Sequence, residues 1–546
     1  MVYIVFMLIL LLPTIAGFGA IFQKLFGNVF LGISALLLSG VFFISMLFTT
    51  IAFFFPLNIF IETGTLAIGI ASFFYLKIHL LFWDFFSKVS RFFFEIALVI
   101  VLLASYYPFI LDHFGYYVPT IQWITEFGLV QGISNLDLLL GQMSIWHLFE
   151  AGFSNFADPF LRINALVLLI YLIYIFEKKS WIHLLFLPVL FLFSQSPSPD
   201  LPVIAIALIV LNEYLNHNKN ASLLFAFSVF VFALKPTMIW LPLFGALYSL
   251  VILKTNLKFI IPGVLVLLVF FIKNIWTFGF PVFPVQLIDL GFSWKPNPNL
   301  LKNSSEMAIM KTYDMQFTIA QIKQFTTFDY VKNWFFLSGI KKIIHLLLIL
   351  SLVVFFFFSL KVKSKIIWLL FISILIKTIL ILSFSAQYRF FLEIFFVIFF
   401  VIFYESFPQK RAKQVFTGLS IIVVMVISYP TILQKGLPSF KLGNFMTGFT
   451  KNQIYKPAHF GYNHYKTHQI GNLKFNVVEN YPFSFDTPLP AISPQFIQED
   501  LNSGIFPQLK GKTLKEGLIW RKINHEEKQK LQSIVEGFNR KNGSIQ

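Results

Sequence analysis

The sequence predicts an all-α polytopic membrane protein with about fourteen transmembrane helices. Three observations predict it. The 546 residues are 57% hydrophobic and only 12% charged, with 73 Phe. Apolar runs of about 20 residues, the length of a helix that crosses a bilayer, recur from the N-terminus to about residue 428. Lysine and arginine gather in short loops between those runs, and they fall on one side if the runs alternate.

Residues 1–83 hold three apolar runs with few polar groups besides Glu62, Lys77 and His79, read as three additional N-terminal helices for packing or partner contact. The stretch Met1 to Gly17 has no basic leader and reads as a retained helix rather than a cleaved signal. A transmembrane core follows over 84–428. Its loops with Lys178 and Lys179, Lys219, Lys254 and Lys258, Lys361, Lys363 and Lys365, and Lys410, Arg411 and Lys413 share one side, which the positive-inside rule makes cytoplasmic. Asp112, Ser194 to Asp200, Lys235, Lys273 and Ser385 to Arg389 then face outward.

Two outer segments exceed a simple turn. The first, 112–160, mixes aromatic and polar residues and predicts short interfacial helices forming a lid or rim. The second, 274–338, is broken early by Pro281, Pro284, Pro296 and Pro298, with a helix expected around Ala308 to Lys323. The tail, 429–546, is polar and basic, ends in a helix-like segment around His525 to Phe538, and reads as a small C-terminal extramembrane domain. No repeat of fixed period and no inverted pair of Gly/Pro-broken helices stands out, which counts against a transporter. The net charge of +17 lacks a nucleic-acid signature and serves helix orientation, and zero Cys excludes disulfides and thiolate chemistry.

Carboxylates and cations at the outer ends of helices carry the chemistry. Asp112 closes the fourth apolar run, where it is placed to take a proton or hold a cation, or else to cap the following helix. Asp200 lies in Ser196-Pro197-Ser198-Pro199-Asp200-Leu201-Pro202, where prolines fix a turn and start a helix, so its carboxylate is held at a helix N-terminus for chemistry or else caps that helix. Taken singly, Lys235 and Lys273 read best as snorkelling cations. Arg389 is the stronger candidate, because a guanidinium binds phosphate bidentately.

In order along the chain, these motifs resemble the GT-C superfamily of integral membrane glycosyltransferases, which use polyprenyl-phosphate-linked sugars. Asp112 with Tyr116 and Tyr117 looks like its acidic first-loop signature. Pro199-Asp200-Leu201-Pro202 is similar to its Pro-Asp-x-Pro turn, and Leu234-Lys235-Pro236-Thr237 to the lysine turn that follows. Asn274 with Gly279 to Pro284 is similar to its Asn, Gly-x-Pro-x-x-Pro segment, and Tyr388-Arg389 to its late Arg/Tyr site. The resemblance covers roughly Phe92 to Tyr404 and extends to a group of bacterial polytopic membrane proteins built the same way. It departs where the family often has a second acid: Asp112 is followed by His113.

The resemblance implies an inverting transfer on the outer face of a bacterial cytoplasmic membrane, facing the periplasm or exterior. Asp112 and Asp200 would be catalytic, and Arg389, Lys235 and Lys273 would bind the donor phosphate. Tyr116, Tyr117, Asn274, Trp146, His147 and Tyr388 would contact substrate. A divalent cation, Mg or Mn, would sit on Asp112 and Asp200 if one is used. The partners implied are a polyprenyl-phosphate-linked sugar and membrane lipids, not nucleic acid. Three alternatives stay open: a lipid-linked glycan polymerase or ligase needing paired basic sites, a transporter or flippase needing a paired ionisable group such as Lys377 within its helix, and a scaffold for an assembly partner.

Overall fold

The computed structural model describes residues 1–286, 288–404, 406–432, 448–461, 464–479 and 481–542. It is mostly helical. Among the described residues, six helices are long and apolar enough to cross a membrane, or seven if one bent pair counts as a single span. That is fewer than the expected fourteen, and the lengths of the remaining helices explain the difference. Asn164–Lys178, Asp200–Leu215 and Ala221–Leu234 have 15, 16 and 14 residues. At 1.5 Å per residue they rise about 21–24 Å, short of the ~30 Å hydrocarbon layer. The apolar run from Trp181 to Phe193 breaks into short turns of helix. These pieces are almost wholly enclosed by protein, where broken backbone is tolerated at membrane depth. The long helices Lys341–Val362 and Gln409–Ser428 lie outside them, each with only 22% of its apolar window buried.

The N-terminal helices α1 (Val2–Phe26), α2 (Ile33–Phe54) and α3 (Ile59–Tyr75) pack through glycine. A Cβ on Gly17 would strike the carbonyl of Gly69, and one on Gly19 that of Leu36, so the backbones meet directly, as small residues allow in apolar surroundings. Helix α4 (Ile78–Lys88) bends 75° away from α3 after Lys77, whose φ of 57° is left-handed. Glu62 of α3 is fully buried and accepts hydrogen bonds from the backbone N–H groups of Asn155, Phe156 and Ala157. It ties the N-terminal helices to the first long loop.

The bundle has two distinct ends. At one, Asn218 and Asn220 reach the carbonyls of Val29 and Asn28, Lys178 pairs with Glu213, and Glu177 accepts from Ile33 N and Ser34 N. The other end carries Asp112, Asp200, Lys235 and Arg389, together with the tail, whose Gln453 carbonyl accepts from the Met1 ammonium.

Three local expectations are corrected. Segment 112–160 is not an exposed rim: Trp123, Trp146 and Phe149 are each 0% exposed, because the N-terminal helices and the tail cover it. The helix expected around Ala308 to Lys323 runs instead over Pro298–Thr312, where Asn297 caps it and Pro298 starts it, and left-handed Asp314 and Met315 follow its end. The tail is not all-α: β1 (Tyr465–Ile470) pairs antiparallel with β2 (Leu473–Val478), and β3 (Ile505–Leu509) with β4 (Leu518–Lys522). Leu473, Phe475 and Val477 alternate inward with period 2, which is strand patterning. Leu518 N donates to Gln131 O and Trp520 Nε1 to Lys295 O, so this unit docks on both long loops.

Candidate functional site

Asp112 stands at the head of a π-helical turn, His113–Tyr117, and its side chain makes no cap. Its Oδ2 faces Arg389 Nη1 at 3.3 Å. Asp200 is the first residue of its helix, with Pro199 in the capping position and no side-chain cap. Its Oδ2 accepts from Ser198 Oγ at 3.1 Å, and its Oδ1 forms an ion pair with Lys235 Nζ. Neither carboxylate is therefore spent on a helix terminus. Both are turned to a cation.

The turns that carry them are fixed from within the bundle. Asn164 Nδ2 donates to the carbonyls of Phe193, Ser196 and Ser198 and so shapes the loop before Asp200. His113 Nδ1 lies 3.0 Å from Ser196 Oγ, joining that loop to the Asp112 turn. Lys235 is extended at the end of Ala221–Leu234, because Pro236 stops the helix there. Arg389 sits in the short turn Tyr388–Phe390, and the Phe390 carbonyl accepts from Lys377 Nζ at 2.7 Å. Lys377 also pairs with Glu393, and their side chains are 0% and 6% exposed.

The cations share a ring. Lys235 Nζ lies 5.9 Å and the Arg389 guanidinium carbon 5.2 Å from the centroid of Phe390. Tyr116 and Tyr117 pack at 4.5 Å, both buried. Burial lifts both phenols well above their usual range; Tyr117 and then Asp112 add to it for Tyr116, and Asp112 and then Asp200 for Tyr117. Both carboxylates therefore bear on Tyr117. Burial works against the charge of Arg389, but Asp112, Tyr116, Asp200 and Tyr117 outweigh it and raise the guanidinium above its ordinary value.

Of the eleven residues singled out in the sequence, six thus converge: Asp112, Tyr116, Tyr117, Asp200, Lys235 and Arg389. Tyr388 is next to them but turned aside, its ring 5.3 Å from Lys341 Nζ. The other four have structural partners. Lys273 is 1% exposed and donates to the Met143 carbonyl. Asn274 donates to the Pro281 carbonyl. Trp146 donates to Asn164 and stacks on Phe149, presenting no face to a substrate. His147 is buried with its ring 4.8 Å from Tyr117, so it backs the site without lining it. Sequence reasoning missed Asn164 and Lys311. Asn164 had a signal, as a lone amide opening an apolar helix. Lys311 had none; burial and then the charge of Arg389 lower it, against smaller opposing contributions from Asp112 and Glu499.

Among the described residues no group of three or more His, Asp and Glu side chains is placed to hold a metal ion. With each carboxylate facing its own cation, the donors at this end do not fit a divalent ion held between Asp112 and Asp200.

Residues 1–396 match a family described as a domain of unknown function, DUF8201, and the chain belongs to that family. Comparison with curated proteins and comparison with solved structures each found no match.

Proposed function

We propose that this DUF8201 member transfers a sugar from a polyprenyl-phosphate donor to a hydroxyl acceptor, at the end of the bundle that carries Asp112. The observation behind the reading is the pairing of Asp112 with Arg389 beside that of Asp200 with Lys235, four residues with no local reason to meet. In this reading the short buried helices also count as passages, giving about fourteen in a GT-C-like arrangement, and the lysine-rich end is cytoplasmic.

The chemistry follows from the pairing. A phosphate arriving from the lipid competes with Asp112 for Arg389, since two phosphate oxygens match the guanidinium fork better than one long contact does. Asp112, released, accepts the acceptor's hydroxyl proton. The acceptor oxygen bonds to the anomeric carbon, the bond from that carbon to the phosphate oxygen breaks, and the polyprenyl phosphate leaves with its charge held by Arg389 and Lys235. Attack opposite the leaving group inverts the anomeric centre. Asp200 keeps Lys235 in place.

One observation favours a second reading. Lys377 within Lys365–Phe384 is paired with Glu393, the arrangement a transporter of lipid-linked precursors would use. The same lysine also donates to the Phe390 carbonyl, which gives it a structural task at the Arg389 turn as well.

The test is consumption of a polyprenyl-phosphate sugar by the full chain in nanodiscs. Turnover that disappears in Asp112→Asn supports transfer. Movement of intact donor across a vesicle bilayer without turnover supports the transporter instead.

A further inference from the structure

We infer that a cavity at the lysine-bearing end of the bundle holds one anionic phospholipid, with its phosphate at Lys179. The cavity measures about 610 Å³, within the roughly 300–1,000 Å³ of small-molecule sites. It opens where the end of α1, the start of α2, α4, the end of Asn164–Lys178 and the first residue of Gln409–Ser428 meet. This is the end opposite Asp112, so binding here does not depend on the transfer reaction.

The depth suits a lipid head. Gln23 lies three residues before the end of α1 and Leu36 three residues into α2, so the cavity reaches about one helical turn, or 5 Å, into the bundle. A bilayer changes from head groups to acyl chains at that depth.

The lining combines two kinds of surface, as an amphiphile does. Leu31 and Leu81 are 75% and 59% exposed, and with Leu36, Phe85, Phe176 and Trp181 they supply apolar wall for a chain. Gln23, Ser90, Lys179 and Gln409 supply the polar part, and their side chains have no hydrogen-bond or ion-pair partner among the described residues. None of the four is sealed off: Ser90, Lys179 and Gln409 are exposed, and Gln23 is half-buried.

Charge selects the head group. Asp84 and Lys88 pair with each other at 2.5 Å. Glu177 is spent on α2: its carboxylate accepts from Ile33 N, Ser34 N and Ser34 Oγ, and it meets the partial positive charge of that helix N-terminus. A free anion therefore finds no backbone site there. Lys179 is left, ending its helix in a left-handed turn with φ of 54° and facing no carboxylate among the described residues. One unmatched cation in an otherwise balanced lining fits a phosphodiester with a single negative charge, and the amides and hydroxyl beside it fit ester and glycerol oxygens. A choline head would bring a second cation to a lining whose acids are already taken.

Native mass spectrometry of the full chain, released from detergent after incubation with lipid, tests this. The probes are phosphatidylglycerol and phosphatidylcholine of equal chain length, with sn-glycerol 3-phosphate as a soluble competitor. One phosphatidylglycerol should be retained per chain, in preference to phosphatidylcholine and undisturbed by the competitor. Retention should fall about tenfold in Lys179→Gln, the scale of one charge-assisted hydrogen bond, and also in Leu81→Gln, which makes an exposed apolar wall polar. Lys219→Gln removes an exposed lysine at the same end but outside the cavity, and it should bind as the parent does. Equal retention of the two lipids, or equal losses in Lys179→Gln and Lys219→Gln, overturns the site and leaves only attraction between lysines and a charged surface. Displacement by glycerol 3-phosphate overturns the lipid and assigns the cavity to a soluble phosphate ester.

Discussion

Arg389 Nη1 lies 3.3 Å from Asp112 Oδ2 across 277 positions of sequence, with both side chains partly exposed, at 46% and 38%. A pair this open is worth little as structure, typically about 0–1 kcal/mol. In the proposed reading this contact serves as one the donor phosphate can exchange for, not as a source of stability.

Asp112→Asn removes the proton acceptor while keeping shape and a hydrogen-bonding group. Transfer should fall by about 10²–10⁴-fold, the range of a general base, with thermal stability unchanged within a degree or two. Turnover equal to the parent's, measured as release of polyprenyl phosphate, would remove Asp112 from the mechanism.

Arg389→Ala should act mainly on the donor. Losing a charge-assisted bond to phosphate, about 1.5–3 kcal/mol, raises the donor KM by roughly 10- to 100-fold. Arg389→Lys should recover only part of this, since a point charge cannot form the two-pronged contact. Identical KM values for the two variants would argue that the fork plays no part.

Glu393→Gln takes the carboxylate away from the buried Lys377 amine, a loss of about 3–5 kcal/mol for breaking a buried pair. Melting in detergent should drop sharply, and Lys377→Met combined with Glu393→Leu should regain most of it. If the double variant is stable but inactive, the pair's service to the Arg389 turn, through the Phe390 carbonyl, is the reason.

Stability should fall as pH rises from about 4 to about 8, by way of Asp137. Burial is the main cause that lifts its carboxyl to about 8; the Leu139 N–H opposes the shift and the Glu499 charge adds to it. The folded state therefore keeps a proton that the unfolded chain releases from about pH 4 upward, so folding weakens through that window and levels off above it. Melting temperatures across this range should slope downward in the parent and less so in Asp137→Asn. Parallel slopes would exclude the residue.

Gly17→Val forces a side chain into the Gly69 carbonyl, where no flexible atom can yield. Overpacking of about 1–3 kcal/mol should loosen α1 from α3. Protease sensitivity near α3 reports it; a variant as resistant as the parent would mean the helices separate easily.

Composition and loop charge were enough to show helices that belong in a membrane, because apolar length and lysine placement are local quantities. Of the roughly fourteen spans they suggest, six helices, or seven with the bent pair, are long and apolar enough to cross by themselves among the described residues. A run such as Val203 to Leu211 reads the same whether it faces lipid or protein, and only packing reveals that it is enclosed. The site was legible in part for the same reason. Asp200 between prolines and Arg389 after a polar turn announce themselves locally, whereas Trp146 and Lys273 look equally exposed in sequence and prove to be buried.

The sequence by itself determined the helical, membrane-embedded class and the residue types that end each helix, since these depend on runs of neighbours and on proline. Tertiary structure alone decided which charges meet. Asp112 with Arg389, Asp200 with Lys235, Lys377 with Glu393, and the cavity beside Lys179 all depend on contacts between segments far apart in the chain, and no short-range pattern encodes the distance between two ends of a fold.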